Sequence, residues 1–436
     1  MCDNQKQYNK NRIFRKIVII ALCIITVLAS FSFGFMANCL LRGQKASVVS
    51  DIVTIMDKVG YIYDPATGKV REITEEDIAD AIVNALLDEY SAYYTKEEYE
   101  RVLANGNGDY EGVGLAFYNL EQPVVEVVMG NSPVDKKGVR KGDLLLWGKA
   151  NDNDAVQFNS AKDVLLFLQG CDNDDEITLC YKRGDVTNTV VVEKESYVAS
   201  YVRYYDDQKI YRFLSEDGKE LKGVESANDE INITESDVCY IKLDSFEGDA
   251  SSQMEKALSY MKSRGKSKLI LDLRDNGGGY MNVLTEIASL FIHNGGAKKS
   301  LVAYSEGKTG TQAFYTDKNK FCSFIKSMVV LANDNTASAS ECLMGALVTY
   351  GELVKGYTNI VLEKSVDGVA KTFGKGIMQT TYMLTTGGAF KLTTARILWP
   401  DKKTCIHGKG ILPEDGAQIS ECGNGINTAL QVISQN

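Results

Sequence analysis

The sequence predicts an α/β protein: a core of largely parallel sheet under covering helices, an inserted β-rich domain, a helical N-terminal segment and one N-terminal transmembrane helix. Three observations predict it. From Val238 onward, short apolar runs of strand length alternate with segments patterned as helices. Between Tyr110 and Lys194 the runs are short, β-branched and punctuated by glycine turns. Ahead of both, Ile17 to Leu41 carries no charged residue. The 436 residues are enough for two or three domains. A hydrophobic fraction of 44% and a charged fraction of 24% are those of a globular chain. Five prolines and no long polar tracts disfavour extensive disorder. A net charge of −10 argues against nucleic acid as a partner, because phosphate binding wants a basic face.

Lys6, Lys10, Arg12, Arg15 and Lys16 precede the uncharged run, and only Arg42 and Lys45 follow it closely. The run exceeds the roughly 20 residues that span a bilayer as a helix. The positive-inside rule then predicts a cytoplasmic tail at 1–16, an anchor at 17–41 and the remainder outside the membrane. A cleaved signal peptide is the alternative. Ser30-Phe31-Ser32 and Ser32-Phe33-Gly34 have the small-x-small form of a cleavage site, but the run is long for a signal h-region. In that case the chain is secreted.

Residues 46–105 read as helical. Ile78, Ala81, Ile82, Ala85 and Leu86 recur at spacings of three and four, which predicts one buried helix face. Thr74 stands three before Asp77, the acidic form of a capping box. Thr95 starts a second helix, Lys96 to Val102, and Asn105-Gly106-Asn107-Gly108 breaks the chain. Residues 108–197 follow as the β-rich domain, in which Ser160 caps a short helix through Leu168. Gly112-Val113-Gly114-Leu115, Asn131-Ser132-Pro133, Gly138 and Gly142-Asp143-Leu144 succeed one another as they do in a PDZ domain, which this stretch resembles. The resemblance implies that backbone N–H groups of residues 112–115 cradle a C-terminal carboxylate while the peptide adds a strand to the sheet edge. The plain alternative is that these glycines only make turns. Residues 198–236, rich in tyrosine and then in charge, are expected to be a connecting segment with one hairpin at Arg212 to Lys222.

In the core, 237–436, strands are expected at Cys239–Leu243, Leu269–Leu273 and Val329–Leu331. Helices are expected at Ser251–Arg264, Met281–Ile292 and Ala339–Tyr350. Three segments carry the candidate chemistry. Ser338, in Ala337-Ser338-Ala339-Ser340-Glu341, lies between a buried strand and a helix start, where unpaired N–H groups favour an oxyanion. Either Ser338 or Ser340 could equally be a plain helix cap. A serine nucleophile needs a base. Lys375, between two glycines in Thr372-Phe373-Gly374-Lys375-Gly376, can serve if burial lowers its pKa. A surface lysine in a glycine turn is the alternative. Gln379, four residues on, falls on the same face as Lys375 in a strand or a helix and is placed to orient the amine. Gly278, in the Gly277-Gly278-Gly279 turn after a strand, and Ala339 are the candidate oxyanion donors through their N–H groups.

These strings occur together in the order found in the carboxyl-terminal processing, or tail-specific, proteases of serine peptidase family S41, which the chain resembles. The matching residues are Leu271-Asp272-Leu273-Arg274 with Asn276-Gly277-Gly278-Gly279, Ala337 to Glu341, Thr372 to Gly376, Phe390 to Arg396, and Ile406-His407-Gly408-Lys409-Gly410-Ile411. The likeness extends upstream through the PDZ-like stretch to Tyr90-Ser91-Ala92-Tyr93-Tyr94. It implies a ClpP/crotonase-like core with an inserted PDZ domain. It also implies Ser338 as nucleophile in preference to Ser340, Lys375 as general base and Gln379 as its orienting partner. The implied substrates are proteins or peptides with apolar C-terminal tails, and no cofactor is called for. A homodimer is compatible with this reading. The chain departs from the family between Tyr350 and Thr372, where Asn359 to Val369 reads as an extra loop near the base. It also lacks the usual proline of the glycine turn.

Other chemistries find less support. With two histidines, His293 and His407, and no C-x-x-C, the usual zinc motifs are absent. A Ser-His-Asp hydrolase would have to use His407, and no G-x-S-x-G elbow surrounds any serine. The acidic turns at 151–154 and 172–175 lack EF-hand spacing, and Gly307-Lys308-Thr309 lacks the upstream glycine of a P-loop. A non-catalytic protein that captures C-terminal tails is the second reading.

Overall fold

The structure, a computed structural model, describes residues 56, 63–64, 69–70 and 74–435. Within that last range, 118, 207–208, 216–220, 228–230, 232, 234–236, 294, 296 and 317–319 are excepted. The expected cytoplasmic tail and membrane span, 1–41, lie outside the described residues. Among the described residues no helix is long and apolar enough to cross a membrane.

The chain divides into two units, Met1–Leu86 and Leu87–Asn436. In the first, β1 (Tyr63–Asp64) pairs antiparallel with β2 (Lys69–Val70), and α1 spans Glu75–Leu86. The acidic capping box forms: Thr74 N donates to Asp77 Oδ2 at 2.8 Å, and Asp77 N donates to Thr74 Oγ1 at 3.1 Å. The apolar stripe of α1 is not buried as expected; Ile82 is 44% and Leu86 75% exposed. Periodicity identifies a face that would gain by burial; it does not supply the surface to bury it.

The second unit begins with β3 (Ala92–Tyr94) and α2 (Lys96–Asn107). Thr95 and Glu98 close a capping box at the start of α2. The helix runs through the expected break and stops at Gly108, which takes φ 91°. Gly106 is there for packing: a Cβ on it would lie 2.3 Å from the Tyr280 hydroxyl.

A β-rich region follows: β4 (Asp109–Gly112), β5 (Leu115–Ala116), β6 (Val127–Val128), α3 (Pro133–Lys136), β7 (Leu144–Ala150) and β8 (Val156–Gln157). It continues through α4 (Ala161–Gly170), β9 (Ile177–Arg183), β10 (Val186–Val192) and β11 (Glu195–Val198). Four strands make an antiparallel sheet in the order β10-β9-β7-β8, while β5 pairs with β6 and β4 with β11. Val125, Val134, Leu145, Ile177 and Leu179 fill a core of its own. Ser132 and Ser160 cap α3 and α4 through the amides of Asp135 and Asp163.

Residues 198–236 hold the expected hairpin but are more than a connecting segment. They contain β12 (Val202–Tyr205), β13 (Lys209–Ser215) and β14 (Leu221–Ala227), which extend the central sheet antiparallel to its first parallel strand. The tyrosines explain the difference. They make the stretch read as polar, yet their rings carry as much apolar area as phenylalanine. Tyr204 packs edge-on against Tyr260 at 5.0 Å and Tyr205 against Tyr240 at 5.1 Å.

The core alternates as expected. Its elements are β15 (Val238–Leu243), α5 (Ala250–Ser263), β16 (Lys268–Asp272), α6 (Met281–Phe291), β17 (Leu301–Gly307), β18 (Gly310–Tyr315), β19 (Ser327–Ala332) and α7 (Ala339–Tyr350). β20 (Ile360–Glu363), β21 (Ile377–Met383), β22 (Ala389–Leu398), β23 (Gln418–Ser420) and α8 (Gly425–Ser434) complete it. The main sheet has the order β14-β13-β12-β15-β16-β19-β20-β23, parallel from β15 to β23. Alternate strand residues face opposite layers. Cys239, Ile241, Leu269, Leu271 and Val330 meet α5, α6 and α7, while Tyr240, Ile270, Val329 and Leu331 meet α8. With both faces covered, these strands read as continuous apolar runs.

The expected extra loop at 359–369 begins with a strand. Ile360 to Glu363 are all buried in β20, between β19 and β23, and only 364–371 is loop. An apolar run of three residues, Ile360 to Leu362, is too short for periodicity to tell a strand from an apolar turn. A second sheet, β18-β17-β22-β21, takes β3 alongside β22. The glycine turn and the start of α7 both emerge from carboxyl ends of parallel strands, where open α/β sheets leave a crevice for ligands.

Candidate active site

The turn after β16 is fixed by its first residues. Burial alone would raise the Asp272 carboxyl; Arg274 and Lys242 outweigh it and hold it at about 2. Arg274 Nη2 reaches Asp272 at 2.7 Å, and its Nη1 reaches Glu363 at 2.8 Å, which ties the ends of β16 and β20 together. Asn276, fully buried, donates to the Leu243 carbonyl at 2.9 Å and accepts the Gly278 amide at 2.9 Å. Its carbonyl accepts the Ala337 amide and the Ser340 hydroxyl, both at 3.0 Å. The glycine turn and the nucleophile loop are therefore stitched to each other.

Ser338 sits at φ 57°, ψ −114°, a left-handed conformation that a residue with a Cβ adopts only under constraint. It is half-buried, and no side-chain capping bond engages its Oγ. Ser340, in contrast, is fully buried, and its hydroxyl is engaged by the Asn276 carbonyl. The hydroxyls of the two serines thus stand in different surroundings. The Ala339 amide, at the first turn of α7, has no hydrogen-bond partner among the described residues. Gly278 lies against both, since a Cβ there would stand 2.8 Å from Ala339 N and from Ser338 Cβ. Its own N–H, however, points to Asn276 in this state.

Glu341 joins the two halves of the site. Its side chain is fully buried. Oε2 accepts the amides of Ser338 and of Lys375, each at 2.9 Å. Oε1 accepts the Thr372 hydroxyl at 2.6 Å and the Gly374 amide at 2.8 Å. Burial pushes the carboxyl up, and these four donors pull it back. Gly374 allows the close approach behind it, because a Cβ would meet Gly410 N at 2.7 Å. The Thr372–Gly376 string is in turn held by the Ile406–Ile411 string, through Thr372 N to the Ile411 carbonyl at 3.0 Å.

Lys375 is half-buried, and its pKa is lowered first by burial and then by Lys391, with Asp88 and Glu89 opposing. Among the described residues no hydrogen bond or ion pair engages its Nζ, which lies 4.5 Å from the centre of the Tyr90 ring. The structure does not bring Nζ into hydrogen bonding with Ser338. It does not bring Gln379 to the amine either; the Gln379 amide donates to Thr393 Oγ1 at 2.9 Å. Counting positions from Lys375 fails because β21 starts only at Ile377 and a bulge falls between Met378 and Gln379. In the β-rich region, Gly114 takes φ 92°, and the Val113 and Gly114 amides have no partner among the described residues.

Sequence reasoning missed Glu341, Asn276 and Tyr90. Glu341 had a signal, its capping-box spacing from Ser338. The others depend on contacts between segments far apart in the chain. Among the described residues, no cluster of His, Cys, Asp and Glu has the arrangement of a metal site.

The chain is similar to known serine peptidases. Residues 237–415 match the model of peptidase family S41. Three similar proteins all bear the name "Probable CtpA-like serine protease". One, from Staphylococcus aureus (strain bovine RF122 / ET3-1), is 28% identical over 91% of this chain and 70% of its own length. One from S. aureus (strain COL) is 30% identical over 77% of this chain and 58% of its own. One from Staphylococcus epidermidis (strain ATCC 12228 / FDA PCI 1200) is 27% identical over 91% of this chain and 71% of its own. The chain therefore spans between 58% and 71% of the length of these relatives. A solved structure titled photosystem II D1 C-terminal processing protease aligns over 83% of this chain and 87% of that one, with 22% identity and a TM-score of 0.49, a likeness too distant to carry an argument. The family match falls on the strings that build the site: residues 237–415 carry a peptidase family S41 domain, and the chain is similar to CtpA-like serine proteases.

Proposed function

We propose that the chain is a serine endopeptidase in which Ser338 is the nucleophile and Lys375 the general base. The observation that carries this reading is Glu341, whose one carboxylate oxygen accepts the backbone amides of both residues. Ser338 Oγ attacks the scissile carbonyl and passes its proton to the neutral Lys375 amine. The tetrahedral oxyanion forms beside the Ala339 amide, joined by the Gly278 amide once that leaves Asn276. Lys375 then returns the proton to the leaving amine, and water hydrolyses the acyl-enzyme. For the first step Lys375 Nζ, which lies against the Tyr90 ring, must come within hydrogen-bonding distance of Ser338 Oγ.

Tail recognition falls to residues 108–197, read as a PDZ-like domain. The unpaired amides of Val113 and Gly114 would receive a terminal carboxylate, and an apolar tail would lie along the adjacent sheet. The basic tail and apolar run at residues 1–41 favour a membrane anchor with the catalytic part outside.

The test is cleavage of an unstructured protein with an apolar C-terminal tail by the full chain, beside Ser338→Ala and Lys375→Ala. Cleavage should be lost in both. Because the neutral amine is the active form, kcat/KM should rise with pH through the lysine's lowered pKa and level off below the ordinary lysine range near 10.4. Activity surviving in either variant removes that residue from its role. No cleavage by any form, with tail binding intact, favours the tail-capturing reading, which the lack of a hydrogen bond between Lys375 and Ser338 also fits.

A further inference from the structure

Tyr90 opens the Tyr90-Ser91-Ala92-Tyr93-Tyr94 string, to which nothing above assigns a task. Its ring is the group that meets the Lys375 ammonium, at 4.5 Å. The backbone around it is pinned on both sides. Tyr90 N and Ser91 Oγ both donate to Asp88 Oδ1, at 3.2 and 2.8 Å. Thr393 N donates to Ser91 Oγ at 3.3 Å, and β3 continues in register along β22, with Tyr93 opposite Phe390. The backbone beside the ring is thus fixed to β22, the strand whose Thr393 also takes the Gln379 amide.

We propose that Tyr90 is a positioning residue for Lys375: its ring face holds the protonated amine, and loss of the proton frees the amine to bond the Ser338 hydroxyl. The proposal rests on the reading of Lys375 as the base. An aromatic face attracts a cation and has no comparable hold on a neutral amine, so position and protonation become coupled. The phenol itself stays un-ionised, its pKa pushed up to about 12 by burial and by Glu89. The other charged groups facing the amine are Lys391 of β22, which disfavours the ammonium, and Asp88 and Glu89, which favour it. On the remaining sides, Glu341 meets the Lys375 amide, and His407 packs its backbone against Gly376.

The test uses the full chain labelled with 13C at lysine Cε, in a Ser338→Ala background to prevent self-cleavage. The Lys375 signal is identified by its loss in Lys375→Met. Tyr90→Phe should leave the Lys375 pKa in place, Tyr90→Leu should lower it by about half a unit to one unit, and Tyr90→Trp, a better cation-binding face, should raise it. With Ser338 restored, the rising limb of kcat/KM should move by the same amounts in the same directions. A Lys375 pKa indifferent to the Phe, Leu and Trp series overturns the proposal, and the Phe–Trp pair decides if the leucine variant does not fold. Cleavage by Lys375→Met would instead sink the base assignment, and the 13C titration would still report on the contact.

Discussion

Glu341 shows how much of a site can depend on a residue that touches no reacting atom. One oxygen fixes the amide of the strained Ser338 and the amide of Lys375, 37 residues later in the chain; the other fixes Thr372 and Gly374. All four donors are matched to acceptors only while both oxygens are acceptors. Glu341→Gln replaces one of them with an NH2 group facing N–H or O–H donors, at the cost of a buried mismatch. Thermal unfolding should show a loss of about 1–3 kcal/mol, and kcat should fall at least about tenfold for a modest misplacement of the pair. Unchanged kcat with unchanged stability would deny the carboxylate its part. At this scale the sequence was partly legible. It ranked Ser338 above Ser340, and the buried bond of Ser340 gives the physical reason. It could show Glu341 only as a helix-capping residue, because local spacing carries no information on partners 31 to 34 positions away.

At the scale of elements, the glycine turn and the amino end of α7 form one assembly. Gly278 has φ 104°, and a Cβ there would crowd Ala339 N and Ser338 Cβ at 2.8 Å and the Ala337 carbonyl at 3.0 Å. All but the Ser338 Cβ are backbone atoms, which have little room to move. Gly278→Ala therefore combines a strained conformation with a clash, and should destabilise the chain by about 1–3 kcal/mol. It should also abolish most cleavage, since the displaced atoms are the proposed nucleophile and oxyanion donor. Gly277→Ala is the control, because nothing lies within 4 Å of the added Cβ; it should keep both stability and activity to within a few-fold. Equal damage from the two would show that general loosening of the turn, not this contact, is responsible. The helices and parallel strands were legible because both follow strong apolar patterns. β13 and β14 answer to the expected hairpin, while β12 and the joining of all three to the central sheet were hidden by tyrosine, and β20 by its shortness. α1 shows the converse: its stripe was read correctly as apolar and incorrectly as buried.

At the scale of the whole second unit, two of the ion pairs among the described residues that join the β-rich region to the core differ in what they can contribute. Arg212 of β13 meets Asp135 of α3 at 3.0 Å, with 7% and 6% of their side chains exposed. Lys141 meets Asp275, at the edge of the glycine turn, at 2.5 Å, with 48% and 30% exposed. Exposed pairs are worth about 0–1 kcal/mol, because water already solvates both partners. Removing one member of a buried pair leaves the other charge desolvated and costs about 3–5 kcal/mol. Asp135 retains Arg140 at 3.5 Å, which points to the lower end of that range. The chain has two tryptophans, Trp147 in β7 and Trp399 just after β22, one on each side of the junction. In a Trp399→Phe background, the fluorescence of Trp147 reports unfolding of the β-rich region alone. Arg212→Leu should shift its urea midpoint down by an amount equivalent to about 3 kcal/mol, and Lys141→Ala should shift it by less than about 1 kcal/mol. In a Trp147→Phe background, Trp399 should move less than Trp147 with Arg212→Leu, because Asp135 belongs to the β-rich side. If the two substitutions prove equal, burial does not govern this junction, and its attachment must come from the apolar contacts around α3.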